Sequence, residues 1–74
     1  MYNIEGYDKD GDRFLYLCST HSLQSALVKA RQYQELCRRD ALRYPKDGEP
    51  IDWIEISKNG NLIWASGEYV SLTA

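Results

Sequence analysis

With 74 residues and a net charge of −2, the chain has room for one domain with a thin core, since a fold this small buries only about 60 % of the surface its unfolded form exposes. Hydrophobic residues at 43 % and charged residues at 27 % exclude the disordered and collagen-like classes. No apolar run approaches the roughly 18 residues of a membrane helix, and the N-terminus lacks the basic-then-apolar order of a secretion signal, so a protein of the bacterial cytoplasm without a membrane partner is expected.

Tyr2 to Tyr7 and Arg13 to Cys18 are β-prone runs around the turn-rich loop Asp8-Lys9-Asp10-Gly11-Asp12, and they predict a hairpin over residues 2–18. The loop places Asp8, Asp10 and Asp12 where an EF-hand has its first, third and fifth ligands. The match ends there, because the sixth position, which needs Gly, is Arg13, the twelfth, which needs Glu, is Ser19, and no helix precedes the loop. A solvated turn is the favoured reading, and no metal or cofactor is expected.

Ser19, Thr20 and Ser22 offer hydroxyls to cap the unpaired amides of a first helical turn, and a helix is predicted over residues 22–43. Leu23, Ala26, Leu27, Ala30, Tyr33, Cys37, Ala41 and Tyr44 recur at steps of three and four, the spacing of one helical face. Ala26 and Ala30 in its middle allow close approach to a sheet. Pro45 marks the end, since the residue before a proline is pushed away from helical angles. Gln24, Arg31, Gln32, Glu35, Arg38 and Arg39 share the opposite face, with Lys29 and Arg43 toward its edge. An ion-paired, solvated surface is favoured there over a phosphate-binding stripe of Arg31, Arg38, Arg39, Arg43 and Lys46. Residues 1 to 12 and 47 to 74 are net acidic while 21 to 46 are net basic, the pattern of a basic helix on an acidic sheet.

Residues 46 to 50 link the helix to a second hairpin over residues 51–66, the clearest element in the chain. Asn59-Gly60 is the pair favoured by a type I′ turn, in which both central residues need φ > 0. With that turn, Ser57 faces Leu62, Ile56 faces Ile63, Glu55 faces Trp64, Ile54 faces Ala65 and Trp53 faces Ser66. Alternation then gives Ile54, Ile56, Ile63 and Ala65 one face, and Trp53, Glu55, Ser57, Leu62, Trp64 and Ser66 the other. The tail 67–74 adds a short edge strand or frays.

These pieces predict an α+β fold of ββαββ order, with one helix across one face of an antiparallel sheet of four strands, or five if the tail pairs. The uncovered face receives Trp53, Trp64 and Leu62 with Tyr7, Phe14 or Tyr16 and Glu55, the composition of an interaction surface. Trp53 and Trp64 are the expected anchors, for another protein or for a second copy in a homodimer. The competing reading is that the tail folds over this face and makes both tryptophans core.

No catalytic arrangement stands out. His21 stands beside a helix cap without a nucleophile pattern, and there is no Gly-rich phosphate loop, paired CxxC or His-Glu metal motif. Cys18 and Cys37 read as two reduced, packed thiols. A non-enzymatic protein without a small-molecule substrate is expected. Nucleic acid is the less favoured partner, because Glu5 and Glu55, and Glu68 beside them, would repel phosphates from the aromatic face.

Ser19-Thr20-x-x-Leu23-x-x-Ala26-x-x-x-Ala30 after a strand, followed by Ile54-x-Ile56-x-x-x-Gly60-x-Leu62-Ile63-Trp64, resembles the small ββαββ proteins of phages and mobile elements, some of which are anti-CRISPR proteins. The resemblance covers about two thirds of the chain and specifies a shape with no active site, so it assigns no functional residue. It implies a protein that acts by occupying a host protein's surface, its acidic sheet edge standing in for nucleic acid toward a basic partner.

Overall fold

A computed structural model describes residues 1–11 and 13–66. Asp12, the third acidic position of the first loop, lies outside the described residues, as does the tail 67–74 with Glu68, on which the fifth strand and the covered face depend. The elements follow as β1 (Tyr2–Tyr7), β2 (Phe14–Thr20), α1 (Leu23–Arg38), β3 (Trp53–Lys58) and β4 (Asn61–Ala65). The four strands form one antiparallel sheet in the order β2-β1-β3-β4, with α1 packed across β1, β2 and β3. This is the expected ββαββ, α+β architecture.

The Asn59-Gly60 turn forms as its sequence requires, with φ of 54° and 80° between the paired Lys58 and Asn61. Beyond it the register departs from simple alternation. Ser57 still faces Leu62, but Ile56 faces Trp64 and Glu55 faces Ala65, so β4 carries one extra residue, Ile63. Such a bulge re-aims every side chain beyond it. Trp64 therefore joins the helix-facing side of the sheet, opposite its predicted place, and packs against the core. A second bulge sits on β2, where Ile4 faces Cys18 and Glu5 faces Tyr16, and the extra Leu17 also packs inward. The first hairpin runs two residues past its predicted end, to Thr20.

Helix α1 begins where the hydroxyls predict. Ser22 adopts extended angles and its Oγ accepts from the Ser25 amide at 3.1 Å. Ser22→Ala is expected to lower stability by about 1 kcal/mol, read as a shift in urea midpoint at unchanged m-value.

The helix ends at Arg38, five residues short of the predicted Arg43. Asp40 takes the left-handed conformation at φ 57°. Its amide donates to the Cys37 carbonyl at 3.0 Å and the Ala41 amide to the Leu36 carbonyl at 2.8 Å, a Schellman closure that satisfies two terminal carbonyls. The apolar period continued through Ala41 and Tyr44, but the chain leaves the helix before reaching them. Tyr44 is buried by a different route. Its loop closes through Tyr44 N to Glu49 O and Gly48 N to Tyr44 O, both 2.9 Å, and Arg43 and Pro50 form a bridge at its base.

The core is one layer between helix and sheet. Ile4, Ile54 and Ile56 from the two central strands meet Ala26 and Ala30 of α1, with Ile51 and Tyr44 from the loop and Leu27, Tyr33 and Cys37 at the margin. Gly6 makes room for the loop. A Cβ there would lie 2.7 Å from Cγ2 of Ile51.

Candidate protein-interaction face

The sheet face away from the helix is assembled by pairing across all four strands. Phe14, Tyr7 and Trp53 form one row, followed by Tyr16, Glu5, Glu55 and Ala65, then by Ser19, Asn3, Ser57 and Leu62. In the first row Tyr7 stacks on Trp53 at 5.9 Å and 11°, and Phe14 is tilted against Tyr7 at 6.0 Å. Phe14 and Tyr16 are 59 % and 55 % exposed, more than large rings in a satisfied core, while Tyr7 and Trp53 are half-buried beneath them.

Polar contacts hold these rings in place. The Trp53 indole Nε1 donates to Glu55 Oε2 at 3.0 Å, the Ser57 hydroxyl donates to Glu5 Oε1 at 3.2 Å, and Tyr16 OH lies 2.6 Å from Ser19 Oγ, which donates to Asn3 Oδ1 at 2.7 Å. Glu5 and Glu55 are direct cross-strand partners. Like charges opposite each other are unfavourable, and among the described residues no ion pair includes either one.

Beyond the aromatic row the hairpin turn and the loop before β3 form an open groove of about 470 Å³, lined by Asp8, Asp10, Asp47, Glu49 and Asp52 together with Lys9, Arg13 and Pro50. Arg13 joins the two loops. Its guanidinium bonds Asp47 at 2.9 Å and lies 4.1 Å above the Tyr44 ring, whose hydroxyl donates to the Arg13 carbonyl at 2.9 Å. The Glu49 amide and the Arg13 guanidinium hold the Asp47 carboxyl below its usual range. Among the described residues no group of three or more metal-ligating side chains is brought together.

The predicted anchors divide. Trp53, Tyr7, Tyr16, Leu62 and Glu55 share the outer face, whereas Trp64 leaves it for the core. The sequence offered Phe14 on this face only as an alternative to Tyr16, and Glu5 only as a charge that would repel phosphates. Phe14 was legible from its two-residue spacing to Tyr16, but the Glu5–Glu55 pair exists only because β1 lies beside β3.

The alternative basic stripe is also divided. Arg38 and Arg39 pair with Glu35 at 3.0 and 3.3 Å, and Arg43 pairs with Asp40 and donates to the Gly48 carbonyl. Only Arg31 and Arg38 of the five lie within α1; Arg39 caps it, and Arg43 and Lys46 belong to the loop. Arg31 and Lys46 enter none of the ion pairs found among the described residues.

Both cysteines are free thiols. Burial, aided by the nearby Asp52 charge, raises the Cys37 thiol to about 11, while burial and a contact with Cys18 raise the Tyr33 phenol. Because the folded state keeps the Cys37 proton where the unfolded chain releases it near pH 8.5, its contribution to stability is complete below that pH and declines as pH rises toward 11. Iodoacetamide at pH 8.5 is therefore expected to alkylate Cys37 at least about tenfold more slowly in the native protein than in urea, as followed by peptide mass.

No helix among the described residues is long and apolar enough to cross a membrane. Compared with known proteins, the chain matches no family model, no curated protein and no solved structure.

Proposed function

We propose that this is a non-enzymatic protein-interaction module of the bacterial cytoplasm that docks another protein, or a second copy of itself, on its outer sheet face through Phe14, Tyr7, Tyr16 and Trp53. One observation carries the reading: a stacked Tyr7–Trp53 pair continues into a strand whose Phe14 and Tyr16 are both more than half exposed. Tyr and Trp anchor interfaces because they bring large area at small entropic cost and keep a polar end. The helix occupies the opposite face, so a partner can approach without unpacking the core. This is also the surface with which an inhibitor of phage or mobile-element type would occupy a host protein.

The test pairs Phe14→Ser/Tyr16→Ser with the wild type in sedimentation equilibrium and in capture from a bacterial lysate, after circular dichroism shows both to be folded. A self-association or a captured protein that the wild type shows and the variant lacks supports the reading. Identical behaviour of the two proteins in both assays removes it.

A further inference from the structure

The aromatic row lies beside a facing pair of carboxylates, and that arrangement selects a partner chemistry. On one side, within the sheet, Glu5 and Glu55 face each other across β1 and β3. On the other side, Asp8 and Asp52, next to Tyr7 and Trp53 in sequence, line the groove together with Lys9 and Arg13, and the Asp52 charge lies near Cys37 on the helix side. Phe14, Tyr7 and Trp53 thus present a platform of three rings bordered on one side by the Glu5–Glu55 pair.

We infer that the occupant of this face is an arginine-rich segment of another protein, whose guanidinium groups lie on the Phe14–Tyr7–Trp53 platform and reach the flanking Glu5. The inference rests on the face being a protein-binding surface. Aromatic faces attract cations through the ring quadrupole, and a planar guanidinium can stack on a ring while donating sideways to a carboxylate, which an ammonium does less well. The like-charged pair gives the second reason: Glu55, buried at 8 % exposure, stands directly opposite the half-buried Glu5, like charges so placed are unfavourable, and a cation that reaches Glu5 relieves that. A phosphate-bearing partner meets the opposite field, which disfavours nucleic acid on this face.

The probe is a fluorescein-labelled oligoarginine peptide, followed by anisotropy at physiological ionic strength, with oligolysine of equal length for comparison. Three folded variants are titrated beside the wild type. Phe14→Ser/Tyr16→Ser leaves the net charge unchanged, Glu5→Gln removes one carboxylate from the face, and Glu35→Gln removes the same charge from the helix.

Saturable binding that weakens at least about tenfold in the aromatic variant and several-fold in Glu5→Gln, stays within about twofold in Glu35→Gln and favours arginine over lysine supports the inference. Amide chemical shifts that move at Tyr7, Phe14, Glu5 and Trp53 would locate the contact. Equal affinity in all four proteins means attraction to net acidity alone and overturns it. No binding also overturns it, but leaves the protein-docking reading standing if the lysate capture still depends on Phe14 and Tyr16. Wild-type self-association abolished by the aromatic variant makes a second copy the occupant and rejects the arginine-rich partner.

Discussion

Ile56→Ala is expected to lower the unfolding free energy by about 3 to 4 kcal/mol, within the range for emptying a buried Ile site that cannot collapse. Ile56 is fully buried on the central strand β3, with Ile4 on one side and Trp64 on the other, beneath the helix that brings in Ala26 and Ala30. Among the described residues there is no second layer from which a side chain can move to fill the gap. A domain of this size has a total stability of roughly 5 kcal/mol, so the variant retains only a small margin and a strongly lowered melting temperature. Ile56→Val, which removes one methylene, is expected to cost about 1 kcal/mol. Urea denaturation of the three proteins side by side checks both figures. An Ile56→Ala loss below about 1 kcal/mol would mean that helix and sheet are not in tight register at this point.

Gly6→Ala is the second large effect, and its cause is a close approach with no unusual backbone angle. The added Cβ would lie 2.7 Å from Cγ2 and 3.3 Å from Cδ1 of Ile51. Ile51 is itself buried, at 2 % exposure, and its amide is tied to the Leu42 carbonyl at 3.1 Å. The Cγ2 methyl hangs on the branched Cβ, so it cannot swing aside as the end of a long side chain would. The loop must then lift from β1, at a cost of about 2 to 3 kcal/mol.

A double-mutant cycle with Ile51→Ala isolates that clash. Ile51→Ala alone is costly because it leaves a cavity, but it removes the methyl that Gly6→Ala strikes. The double variant is therefore expected to be more stable than the sum of the two losses by at least about 1 kcal/mol. Additive losses would place the penalty of Gly6→Ala elsewhere in β1.

Much of the fold could be read along the chain because its causes are local. The φ > 0 requirement at Asn59 and Gly60 set the second hairpin, the Ser22 hydroxyl set the start of α1, and the small residues Ala26 and Ala30 set the face that packs. These signals act within about four residues, so they survive in a single sequence without knowledge of neighbours. The ββαββ order followed from them, as did the assignment of Trp53, Tyr7 and Tyr16 to the face opposite the helix.

Tertiary structure decided what depends on distant partners. The apolar period carried the helix on to Tyr44, but Asp40 closed it because the chain had to turn back and bury Tyr44 and Ile51 from a loop. Strict alternation placed Trp64 beside Trp53, and one extra residue in β4 turned it into the core instead. Periodicity reports how apolar residues are spaced. It does not report where a strand spends an extra residue, because a bulge is settled by how the strand fits its neighbour and the helix above.

The carboxylate pair is the plainest case of the same limit. Glu5 and Glu55 lie in different hairpins, each unremarkable in its own strand, and only the order β2-β1-β3-β4 sets them face to face. Sequence alone determined that an aromatic face would stand opposite the helix, since alternation and turn chemistry are local. That Glu5 and Glu55 stand directly opposite each other came from strand order, a non-local choice made by packing the whole core.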